Sequence, residues 1–171
     1  MTALAIGPGE PTDAPRRRPS TLLGGLAFAL FLASLACPAA DVTFIGPPSH
    51  LRGWDVAWLA PYVGGAAVVE AFVKHQFALA YVGHLLVCLA GLSNVLMLLP
   101  LRWLKLGRVR SPSRRLTMSW VAALALAIVA PFTGKLTGLD IGVQAGYGVW
   151  LAAWLALGAA LWAARREAVT P

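Results

Sequence analysis

Residues 21–37, 77–101, 116–132 and 141–164 form four apolar runs broken by few polar side chains. Each approaches or exceeds the ~20 residues a helix needs to cross about 30 Å of hydrocarbon. Lipid offers no partner for main-chain N–H and C=O groups, so runs of this length predict helices. The connection at 38–76 reads differently. It opens polar and turn-rich, with Asp41, Gly46, Pro47, Pro48 and His50. Val56 to Val69 is then apolar, but it falls short of a span and carries Pro61 and Gly64-Gly65 inside it. Trp54, Trp58 and Tyr62 recur every four residues and share one helical face. Trp and Tyr favour the headgroup level, so an amphipathic segment lying on the outer interface is expected here.

The expected fold is therefore all-α, an integral membrane four-helix transmembrane bundle (residues 21–166) with an interfacial segment in its first outer loop. Composition agrees with a membrane class: 58% of the 171 residues are hydrophobic and 12% charged, where a soluble domain has roughly a quarter charged. Residues 1–20 hold five of the prolines and glycines that exclude regular structure, Gly7, Pro8, Gly9, Pro11 and Pro15, and then Arg16 to Arg18 and Pro19. They predict a flexible basic cytoplasmic tail.

The net charge of +7 changes the picture through its placement. Three arginines lie in the tail, six cations lie between the second and third runs, and Arg165 and Arg166 follow the fourth. Arg52, Lys74 and Lys135 fall on the other side. This asymmetry marks the cytoplasmic face and argues against a nucleic-acid surface. A fifth crossing at 56–69 would move the six-cation loop outside, so an even number of crossings is expected, with both termini cytoplasmic in a bacterial inner membrane. The first run also has features of a signal peptide, and Ser34-Leu35-Ala36-Cys37 hints at a lipoprotein cleavage site. Ser34 stands where leucine is usual and Pro38 follows the cysteine, so a retained helix is the expectation and cleavage the alternative.

Helices in lipid meet through small residues. Gly25, Ala29 and Ala33 in the first run, and Gly148, Ala152 and Ala156 in the fourth, offer such stripes. Asn94, beside Ser93, is expected to hydrogen-bond between helices.

Candidate chemistry is sparse. Cys37 and Cys88 make no CxxC pair, which disfavours thiol redox chemistry. His84, inside the second run, is the polar residue of most interest. It could ligate haem or a metal, serve a proton or quinone, or pack as a hydrogen-bonding residue. His50 and His75 offer no second axial ligand at its depth. Asp55, Glu70, Lys74 and His75 read as an outer cluster, either a cation or acid–base site or ordinary surface charge. No cofactor can be named.

Ser34 to Pro38, the Gly53-Trp54 pair and Gly146-Tyr147-Gly148-Val149-Trp150-Leu151-Ala152-Ala153 together resemble small uncharacterised bacterial four-helix inner-membrane proteins. In that family a proline closes the first helix, Gly-Trp opens an outer helix and a Gly-Tyr motif begins the last. The resemblance implies the fold and no activity. The preference of Tyr and Trp for the headgroup level predicts that Tyr147 and Trp150 join Trp54, Trp58 and Tyr62 in one outer aromatic belt. Three functions are compatible with these features. One is a structural or accessory subunit that binds other membrane subunits or itself, another is an oligomeric transporter or channel, and the third is a haem- or quinone-binding redox subunit using His84.

Overall fold

The computed structural model describes residues 18–43, 49–75, 79–106, 112–133 and 140–169. The fold is mostly helical. In chain order it comprises α1 (Pro19–Ala36), β1 (Pro38–Thr43), β2 (Ser49–Arg52), α2 (Gly53–Lys74), α3 (Leu79–Ser93), a 3-10 turn (Asn94–Leu98), α4 (Leu99–Leu106), α5 (Arg114–Val129), a second 3-10 turn (Ala130–Thr133), β3 (Asp140–Val143) and α6 (Ala145–Val169). Arg16, Arg17, Arg108, Arg110 and Lys135 lie outside the described residues.

The most extensive pairing is antiparallel, between α1 and α6. At one end Ser20 gives its amide and hydroxyl to Glu167, at 2.9 and 2.7 Å. At the other, Gly146 lies so close that a Cβ there would come 2.5 Å from the Pro38 carbonyl oxygen. The buried face of α1 holds Ser20, Thr21, Gly24, Ala27, Phe31 and Ser34, and that of α6 includes Ala153, Trp154, Leu157, Ala160 and Ala164. The expected stripes are thus displaced. Gly25 is half-buried and Ala29 and Ala33 are exposed. Gly148 faces open space, while Ala152 and Ala156 are half-buried. Packing selects the Gly24 face because the Trp103 ring lies 3.3 Å from where a Cβ on Gly24 would be.

Among the described residues, five helices are long and apolar enough to cross a membrane, and α2 is one of them. It forms 22 residues of helix, so length no longer argues against it. The residues that read as breakers are its contacts with α3. Pro61 packs on Gly91, and Gly64 allows the approach of His84 and Cys88. The Cys88 thiol contacts the Pro61 carbonyl oxygen at 3.6 Å. Farther along, Pro100 lacks an N–H and its ring would meet the carbonyl four residues back. The helix passes through a 3-10 turn just before it.

The levels of these contacts matter. α2 starts against Ser34 and Leu35, at the end of α1. Asn94 meets Trp150 near the start of α6, and Trp103 meets Gly24 near the start of α1. Leu79 to Leu106 therefore runs antiparallel to α1. At ~1.5 Å per residue it is about 40 Å long against about 27 Å for α1. The hairpin of α2 and early α3 consequently extends past the level where α1 ends and α6 begins.

That same end carries a sheet that hydropathy did not predict. The strand order is β2-β1-β3, antiparallel throughout, with Asp41 opposite His50 and Gly142. The expected polar loop after Pro38 and the expected start of the last span at Ile141 are strands instead. β-branched Val42 and Val143 suit them, and α6 begins only at Ala145.

Candidate functional site

A cavity of about 130 Å³, partly open, lies where α1, the sheet, α2, α3 and α6 converge. Its wall is mainly small and aliphatic, from residues such as Ala39, Val56, Ala57, Val87, Ala90 and Gly91. Its side-chain polar atoms come from Ser34, Asn94, Tyr147 and Trp150. Local structure explains each position. Ser34, in the last turn of α1, turns its hydroxyl onto the Phe31 carbonyl at 2.7 Å. Tyr147 reaches from α6 to the Ala127 carbonyl of α5 at 2.6 Å. Trp150 donates its indole N–H to Asn94 Oδ1 at 2.9 Å.

Tyr147, Trp150 and Trp154 form a ladder along α6. The first two rings are 5.8 Å apart and tilted, and the next two are 6.2 Å apart, edge to face. Such pairs add to what burial alone contributes. Trp154 is 0% exposed, and its indole nitrogen has no hydrogen-bond partner among the described residues. The structure separates the expected aromatic belt into two groups. Tyr147 and Trp150 are half-buried and committed inward, whereas Trp54, Trp58 and Tyr62 stand exposed on α2. Hydrogen-bonding needs draw the first pair into the protein.

His84 lies outside this cavity. It is half-buried in the α2–α3 hairpin, with the Tyr81 ring 6.4 Å away. Among the described residues, no three His, Cys, Asp or Glu side chains come together as a metal site. The outer charges do not converge either. Asp55 accepts the Arg52 amide at 2.9 Å and caps the start of α2. Glu70 pairs with Lys74 at the far end of the same helix, about 22 Å away. His75 ends α2 in the left-handed region, with φ of 52°.

At the sheet, Asp41 binds His50 Nδ1 at 2.7 Å and accepts from Gln144 Nε2. The hydrogen bonds from His50 and then Gln144 hold its carboxyl below the usual carboxylate range. Sequence reasoning named Asn94, Tyr147 and Trp150 but not the cavity. Its wall comes from segments far apart in the chain, whose small residues carry no shared spacing. Compared with known protein families, with characterised proteins and with solved structures, the chain matches none.

Proposed function

We propose that this chain is a bacterial inner-membrane protein that crosses the bilayer four times, with both termini cytoplasmic. It serves as a structural or accessory subunit of a membrane assembly. The crossings are α1, the α3–α4 run, α5 and α6. Two independent features support four over five. The cations cluster beside the ends that this layout makes cytoplasmic. In addition, α2 begins at the level where α1 ends and leads into a helix that runs back the whole length of the bundle.

One observation carries the accessory role. The α2–α3 hairpin carries large apolar side chains beyond the bundle, with Tyr62 75%, Val69 62% and Val73 73% exposed. Apolar surface on this scale marks contact with lipid or with another protein. A projecting hairpin reaches partners that the bundle itself does not. The resemblance to small bacterial four-helix membrane proteins fits this reading and adds no activity.

The test is photo-crosslinking in native membranes. A benzophenone amino acid at Val69 or Val73 is expected to capture a polypeptide, either another subunit or a second copy. Capture of lipid alone at both positions would overturn the accessory role.

A further inference from the structure

The cavity beside the sheet holds an unspent hydrogen-bond donor. Among the described residues, four polar side chains line it. The hydroxyl hydrogens of Ser34 and Tyr147 are committed to the carbonyls of Phe31 and Ala127, and the Trp150 N–H to Asn94. An indole nitrogen can only donate, so the Asn94 atom it meets is the amide oxygen. That leaves the Asn94 Nδ2 hydrogens with no acceptor among the described residues. An amide donor left unmet in apolar surroundings is costly. The site is therefore suited to an incoming acceptor oxygen.

We infer that this cavity takes the carbonyl-bearing end of a neutral, apolar molecule, with Asn94 Nδ2 donating to its carbonyl oxygen. The volume is close to the ~150 Å³ that accommodates a benzene ring. One ring or a few methylenes fill it, and the rest of the molecule leaves through the open side. Among the described residues no charged side chain lines the wall, so a phosphate or carboxylate head meets no counter-charge from them. Two membrane components share the required chemistry: an acyl ester of a glycerolipid and a ring carbonyl of a prenylated quinone. The inference rests on the cavity alone and is independent of the accessory role.

Native mass spectrometry of the full-length protein in detergent tests it with two probes in separate arms, a decyl-substituted benzoquinone and dioleoylglycerol. One adduct per chain is expected with at least one probe. Asn94→Ala removes the donor and should weaken that adduct ~3–10-fold, the worth of one hydrogen bond. Ala57→Phe fills the cavity from α2, leaves the Asn94–Trp150 bond in place and should abolish the adduct. An infrared downshift of the bound carbonyl should vanish in Asn94→Ala. Retention of the quinone alone assigns the ring carbonyl, and retention of the glyceride alone assigns the ester. Failure of both probes to bind, or equal binding by Ala57→Phe with an unchanged melting temperature, would overturn the inference.

Discussion

Ser20 and Glu167 are 147 residues apart, and both carboxylate oxygens of Glu167 are occupied by Ser20. The contact meets a general need. The first amides of a helix have no partner within it, and the helix dipole favours a negative charge at that end. α1 takes its negative charge from the last turns of α6, so one contact caps a helix and fixes the register of the strongest helix pair. Ser20 is fully buried. Glu167→Ala should therefore leave a buried hydroxyl and amide unmet, at a cost of about 1–3 kcal/mol. Glu167→Gln, which keeps one acceptor, should cost less. Thermal unfolding followed by helical circular dichroism reads both. Equal melting temperatures for wild type and Glu167→Ala would show that the contact contributes nothing.

Gly158 admits the Trp120 ring. A Cβ at Gly158 would stand 2.2 Å from Trp120 Cζ2, and the same indole donates to the Trp154 carbonyl at 2.9 Å. Gly158→Ala must displace the ring and break that bond, for a loss of about 1–3 kcal/mol despite alanine's better helix propensity. Once Trp120 is replaced by Phe, adding Gly158→Ala should cost less, because the two sites share one contact. Strict additivity in the double mutant would refute this account.

Asp41 ties β2 and β3 to β1 through His50 and Gln144. Its carboxyl is held below its ordinary value of 3.8. The native state therefore binds this proton less readily than the unfolded chain. The contribution is fully present above the unfolded value and is lost as pH falls through the lower, folded one. The side-chain amide resonance of Gln144 should titrate with an apparent midpoint below 3.8, and Asp41→Asn should abolish the titration. A midpoint at or above that value would remove Asp41 as the pin.

The helices were legible because length and hydropathy act locally along the chain. The strands were not. β2 and β3 are four residues each, too short for a period, and their pairing depends on three chain segments meeting in space. Pro61 and Gly64 read as helix breakers, yet both lie inside α2 and against α3. Whether such residues end a helix or seat a neighbour depends on what packs there. The small-residue stripes were ambiguous for a related reason. An alanine-rich helix offers several such stripes, and the positions of Trp103 and Glu167 decided between them. Asn94 could be read as a polar group in need of a partner, but neither Trp150 nor the unspent amide hydrogens beside a cavity could be read from spacing.

The position of α2 can be tested from its two flanks. If α2 stays on one side of the bilayer, a cysteine at Ser49 and one at His75 lie in the same aqueous compartment. Both residues are exposed, so neither substitution disturbs the core. With Cys37 and Cys88 replaced by serine, both single-cysteine variants should react with a membrane-impermeant maleimide added to intact cells whose outer membrane has been permeabilised. A cysteine replacing Arg166, at the end of α6, should react only after the inner membrane is opened. Five crossings make the opposite prediction for His75, because α2 would then carry that position to the cytoplasm. The rest of the chain would be inverted with it, and Arg166 would become reachable from outside. The cation distribution opposes that layout, since it would put the six-cation loop outside. Labelling of Ser49 and His75 from opposite sides would therefore overturn both the four-crossing layout and the charge argument behind it.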